Sequence, residues 1–178
     1  SVAFQQADAE ELPFADGSFD VVLSVFGVMF TPNQEQAASE LLRVCRPGGK
    51  VGLASWTPEG FIGNLFRTIG KHVPPPAGVK SPALWGSEAR LRELFGDGIA
   101  HLAVNRRTFT FRYRSAAHWI DVFRNYYGPT LKAFAALDEA GQAALNADLT
   151  ELIERFNRGG AETLLVPSEY LEVVATRR

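Results

Sequence analysis

Asp8 and Ala9 follow the short apolar-leaning segment Val2–Gln6 and precede Glu10-Glu11-Leu12. A carboxylate at the end of a strand can accept a hydrogen bond from the exocyclic amine of adenine. The N–H of the next residue can donate to the adjacent ring nitrogen. Asp8 also suits the cap of one helical turn, with Glu11 three residues on. The two roles are compatible. Val25 and Phe26 close a second apolar run, and in open α/β sheets ligands bind beyond the carboxyl ends of the strands.

The remaining reactive residues point to less. His72, His101 and His118 are scattered and lack the spacing of a metal site, so no metal is expected; helix packing or the surface accounts for them. Glu10 and Glu11 read as solvated, and no side chain stands out as a catalytic acid or base. Cys45 falls on the apolar face of a helix and reads as an inert core thiol. Arg106, Arg107, Arg112 and Arg114 suit either an acidic acceptor or the wet face of a strand near a sheet edge. Trp119, Phe123, Tyr126, Tyr127 and Phe134 form an aromatic group that is either the core of a helical cap or the wall of a pocket.

The elements that must position these residues follow from pattern. Val2 to Gln6 reads as a strand. Val21 to Phe26 is a continuous apolar run, as in a strand buried on both faces of a parallel sheet. Asn33 caps a helix from Gln34 to about Cys45, and Pro47-Gly48-Gly49 makes a turn before a strand over Lys50–Trp56. Phe61, Leu65, Phe66 and Ile69 mark a helix ending near Gly70. Pro74-Pro75-Pro76 is loop. Ser87 caps a short helix stopped by Gly96. Arg106 to Arg114 alternates as a half-exposed strand. Ser115 caps a helix bearing Trp119, Ile120 and Phe123. A further helix carries Leu145, Leu149, Leu152, Ile153 and Phe156, and Tyr170 to Thr176 is the last strand.

Strand–helix–strand order with apolar strands predicts an α/β fold: a Rossmann-like, mostly parallel sheet with an antiparallel last strand. One domain is expected over 1–178, with mainly helical insertions at 57–100 and 115–167. The 178 residues carry a net charge of −2, which argues against nucleic acid as a partner. One cysteine excludes an internal disulfide and fits a reducing cytoplasm. No apolar run approaches the length of a membrane span, so no membrane partner is expected.

Several short pieces occur in a telling order: Asp8-Ala9, Phe19-Asp20-Val21-Val22, Phe26-Gly27-Val28 and Arg46-Pro47-Gly48-Gly49. Over about the first third of the chain this series resembles the class I S-adenosylmethionine-dependent methyltransferases of the ubiquinone and menaquinone biosynthesis type. The resemblance implies S-adenosylmethionine as cofactor and a small-molecule methyl acceptor. It implies that Asp8 and Ala9 hold adenine and that Val25 and Phe26 flank the methionine part. Met29 and Phe30 occupy a wall where the family pattern often has a histidine, so a histidine base is not expected there. Trp119 and Tyr126 lie where the family commonly builds a lid over the acceptor. Pro47-Gly48-Gly49 matches a structural turn.

No glycine-rich strand-to-helix turn precedes Asp8. The expectation is therefore an N-terminally truncated domain, about the C-terminal two-thirds of such an enzyme. The strand over Val21–Phe26 would then have a bare apolar edge, and the chain would self-associate or retain an N-terminal segment. Two other readings stand beside this one. A non-catalytic remnant would act through an interface; a nicotinamide-dependent reductase is disfavoured by the missing glycine loop.

Overall fold

The computed structural model describes residues 2–160 and 163–178. Among them, four strands form one open sheet: β1 (Phe19–Val25), β2 (Cys45–Trp56), β3 (Ile99–Tyr113) and β4 (Leu164–Arg177), in the order β1-β2-β4-β3. Six α-helices accompany them: α1 (Gln34–Val44), α2 (Phe61–His72), α3 (Glu88–Phe95), α4 (Ala116–Tyr126), α5 (Gly128–Ala135) and α6 (Glu139–Phe156). β1 and β2 are parallel, as a βαβ unit requires. Lys50 Nζ donates to Thr176 Oγ1, and Gly52 faces the carbonyl of Val173, so β4 runs against β2. Arg178 N donates to Gly98 O, and Asn105 reaches Glu172, so β3 runs against β4. The Rossmann-like expectation, with its antiparallel last strand, is met.

The chain divides into two compact units. The first comprises 1–55, 84–106 and 171–178. Its core sets Val51 and Leu53 of β2 and Leu171, Val173 and Ala175 of β4 with Ala37, Leu41, Val44, Leu91 and Phe95 of α1 and α3. Residues 84–100, expected in the first helical insertion, thus group with the sheet. The second unit comprises 56–83 and 107–170. There Phe61, Leu65, Trp119, Phe123, Leu145, Leu149 and Ile153 are buried together. Trp119 stacks on Phe123 at 3.7 Å, and Phe61 meets Trp119 edge-on at 5.3 Å.

Local signals explain most boundaries. Asn33, Ser87 and Ser115 each accept a backbone N–H at a helix start, from Gln36, Arg90 and His118. Asp138 does the same for α6 through Gly141 N. α5 has no strong periodicity and no side-chain cap; Pro129 in its first turn is the signal that marks it. α2 runs through Gly70 to His72, because the apolar face continues and a glycine alone does not stop a helix.

Three expectations fail. Residues 2–6 form no strand and are exposed, since a strand needs a ladder partner and none lies beside them among the described residues. β1 is not buried on both faces: Val21, Leu23 and Val25 are 52%, 70% and 69% exposed on an edge strand. Pro47-Gly48-Gly49 does not precede β2 but lies inside it. The pairing shifts there from Phe19↔Cys45 to Val21↔Lys50, a bulge that takes up the extra residues.

That bulge needs both glycines for different reasons. Gly48 sits at φ +73°, where a Cβ would meet only Arg46 Nη1, at 3.7 Å. At Gly49 a Cβ would lie 2.6 Å from Cys45 Sγ and 2.8 Å from the carbonyl oxygens of Arg46 and Asp20. Gly48→Ala is expected to cost about 1 kcal/mol, the left-handed penalty, and Gly49→Ala distinctly more because backbone must move. Urea unfolding of the two variants measures the order; equal midpoints would contradict it.

Candidate active site

The loop 8–17 has almost no regular structure of its own and is fastened to α1 by charged side chains. Asp8 Oδ1 accepts Glu10 N at 2.9 Å, and Glu11 N donates to Asp8 O. The capping role of Asp8 is therefore present as a tight Asx-type turn. Glu10 is not merely solvated: its Oε1 accepts Asn33 N at 2.7 Å, and its carbonyl accepts Gln36 Nε2.

Deeper along α1, Glu40 is 6% exposed. Its carboxylate accepts Arg43 Nε at 2.6 Å and Leu12 N at 2.6 Å. Arg43 also donates to Leu12 O, Phe14 O and Asp16. The guanidinium holds the Glu40 carboxyl below its ordinary value, against the opposing effect of burial. Arg177 in turn donates to the carbonyls of Arg43 and Cys45. Cys45 itself is fully buried, and burial pushes its thiol upward, consistent with an inert core residue.

At the other side of this site, β1 ends in an unusual turn. Phe26 N still donates to Ala54 O, but Phe26 adopts φ +52°. A left-handed phenylalanine costs on the order of 1 kcal/mol and persists only where its surroundings fix it. Ser24 Oγ supplies part of that fixing by accepting Val28 N at 2.9 Å. The 3₁₀ turn Val28–Phe30 follows.

Between loop and strand end lies an apolar trough of about 510 Å³. Ala9, Phe14, Leu23, Gly27, Val28 and Leu41 are among its walls. The loop that carries Asp8 and the carboxyl end of β1 therefore meet at one cavity. Asp8 is exposed beside it, and Val25 and Phe26 stand at the strand end.

The other candidate residues fall differently. Met29 is completely buried and is core rather than wall, while Phe30 is 41% exposed. In the second unit Trp119 is completely buried, since the helical period turns it inward with Ile120 and Phe123. It cannot touch a ligand without opening that core. Tyr126, the last residue of α4, is 84% exposed. Among the described residues no group of His, Cys, Asp and Glu could hold a metal ion. Sequence reasoning passed over Ser24 and the Glu40–Arg43 pair; the i,i+3 spacing of a carboxylate and an arginine on the helix beside the loop was the available signal.

Residues 1–53 match the methyltransferase domain family Methyltransf_11. The whole chain is 42% identical, over 182 residues, to an uncharacterized protein of Mycobacterium tuberculosis, of which it spans 65%. A stretch of 80 residues, 44% of the chain, is 38% identical to the demethylmenaquinone methyltransferase of Deinococcus radiodurans and covers 33% of it. In fold, the chain resembles the YcgJ protein of Bacillus subtilis (TM-score 0.57, 18% identity, 98% of this chain and 70% of that one). It also resembles a putative methyltransferase of Bacillus halodurans (TM-score 0.55, 17% identity, 96% and 69%). Sheet order and reversed last strand are those of a Rossmann-like methyltransferase fold, as in these solved structures. The N-terminal third of the chain carries the type 11 methyltransferase sequence pattern.

Because Glu40 titrates low in the folded chain, its contribution to stability is present above the ordinary carboxylate value of about 4.3. It is lost as pH falls through the lower folded value. Glu40→Gln should lower the melting temperature at pH 7 and flatten its fall between pH 5 and pH 3. Thermal unfolding across that range is the check; an unchanged slope would detach the clamp from acid stability.

Proposed function

We propose that this chain forms part of a methyltransferase that moves a methyl group from S-adenosylmethionine to a small-molecule acceptor. The observation that carries the reading is an apolar trough walled by Ala9, next to Asp8, and by Ser24 and Gly27, which flank the left-handed turn at Phe26.

The residues present suit the adenine end of the cofactor. One carboxylate oxygen of Asp8 holds the turn, which leaves the other for an exocyclic amine. Ala9 N points to no partner among the described backbone bonds and suits a ring nitrogen. Val25 and Phe26 would border the methionine part. When bound, the cofactor supplies a sulfonium methyl group whose positive charge disappears as the methyl leaves. The chain's own work is to bind, to orient and to exclude water. Methyl transfer needs a straight line from acceptor to methyl to sulfur, so alignment supplies much of the rate. An apolar wall favours a step in which charge is lost.

The chain spans about 65% of the length of the curated relatives that match it throughout. The contacts for the ribose and for the rest of the cofactor belong, on this reading, to that further length. The bare edge of β1 suits an added strand, supplied by that length or by a second copy. Val21, Leu23 and Val25 present a row of apolar side chains next to unpaired backbone, and such an edge seeks a partner.

Two measurements test this. Calorimetry with S-adenosylhomocysteine should show saturable binding for the chain extended to the length of its relatives, weakened about tenfold by Asp8→Ala, as loss of one charged hydrogen bond implies. A folded extended chain that gives no heat would favour a non-catalytic role. Light scattering after gel filtration should find the present chain above its 19.5 kDa monomer mass, and Leu23→Lys should return it to that mass. A wild-type monomer at micromolar concentration would remove the open-edge argument.

A further inference from the structure

Phe26 and Gly27 stand in the reverse of the order that a turn asks for. Phe26 is the one non-glycine residue with positive φ among the described residues, at +52°. Glycine adopts that conformation without penalty. It stands instead one place later, at φ −101° and ψ −65°, in the right-handed helical region that side chains tolerate. Crowding does not call for glycine there either. A Cβ at position 27 would meet only Ser24 Oγ, at 3.4 Å. Neither the local conformation nor the neighbouring atoms of the chain explain the bare Cα. Gly27 does line the apolar trough, and a missing side chain lets a ligand approach backbone closely. Gly27 N donates to no group among the described residues.

The direction of that N–H is fixed from both sides. Before it, Phe26 N is tied to Ala54 O at 2.9 Å. After it, Val28 is 5% exposed, and its N–H has Ser24 Oγ as its only partner among the described residues, at 2.9 Å. The Val28 carbonyl accepts Thr31 N and Thr31 Oγ1, at 3.1 and 2.8 Å. The carbonyl of Val28 thus keeps one partner if the threonine hydroxyl is lost, whereas its N–H keeps none without Ser24. Ser24 is also the one side chain with a hydrogen-bonding atom among the residues that wall the trough. Its oxygen is engaged by the turn.

We infer that Gly27 is a specificity-determining contact for the amino-acid end of the cofactor, and that Ser24 is its positioning residue. This rests on the methyltransferase reading above. The bare Cα leaves room for the ligand, and Gly27 N donates to the ligand's carboxylate. A hydrogen bond to an ionised acceptor is stronger than a neutral one. In a trough with apolar walls, such a bond selects for a ligand that carries the carboxylate. Ser24 acts through Val28: it holds the turn so that the Phe26–Gly27 peptide keeps one orientation.

The test is calorimetry on the chain extended to the length of its relatives, with S-adenosylhomocysteine and with 5′-methylthioadenosine, which lacks the amino-acid end. Gly27→Ala should weaken the first at least about tenfold, the scale of one hydrogen bond to a charged group, and leave the second unchanged. Its melting temperature should not fall, since alanine suits a helical turn better than glycine. Ser24→Ala should show the same selectivity between the two ligands, with faster solvent exchange of the Val28 amide. In proton–nitrogen spectra of the wild-type chain, the Gly27 amide should move with S-adenosylhomocysteine and stay with methylthioadenosine. Undiminished affinity in Gly27→Ala, equal loss for both ligands, or an unmoved Gly27 amide overturns the inference and spares the methyltransferase reading. Undiminished affinity in Ser24→Ala removes the positioning role. A wild-type extended chain that binds neither ligand removes that reading, and this inference with it.

Discussion

One guanidinium organises the first unit. Arg43 fans its donors across Leu12 O, Phe14 O, Asp16 and Glu40. The loop it holds has few internal backbone bonds, so its carbonyls would otherwise turn to water and the loop with them. Lysine could not replace it, because a single ammonium cannot present donors in the planar fork these acceptors match. Glu40 keeps the fork in place from beneath and adds a backbone bond to Leu12. The position of Ala9 on the trough, and of Asp8 beside it, depends on that arrangement.

Strand-end geometry supplies the second half of the site. Phe26 is held in a left-handed conformation by the β1–β2 ladder before it and by Ser24 after it. The backbone therefore breaks away sharply from the sheet. Strain of this sort is worth retaining only where a turn must aim its carbonyls and its next residues in a fixed direction. In open α/β sheets the carboxyl ends of the strands form the rim where ligands gather.

Much of this was legible from residue order. The caps at Asn33, Ser87 and Ser115, the inward face of Trp119, Ile120 and Phe123, and the buried Cys45 follow from local chemistry and helical period. The bare edge of β1 followed from the resemblance, since no glycine-rich strand-to-helix turn stands ahead of Asp8. The extended reading of 2–6 failed for a related reason: strand propensity is realised only in a ladder. The bulge in β2 was hidden because Pro-Gly-Gly reads equally well as a turn, and only the register shift between Phe19 and Val21 distinguishes the two. For Trp119 the resemblance offered a lid and the helical period a cap core; burial is decided by what packs on it, and the core is where it lies. The packing of α2 on α6, tied by His72 and Asp148, was invisible because neither helix reveals the other's position.

Cys45 gives the molecule a built-in reporter. It is the chain's one thiol, sealed at the junction of α1 and β2 under Gly49 and the Arg177 fork. A maleimide cannot reach it while that junction is shut. Its labelling rate thus clocks excursions in which helix and strand part, one site per molecule and with no background from any other sulfhydryl.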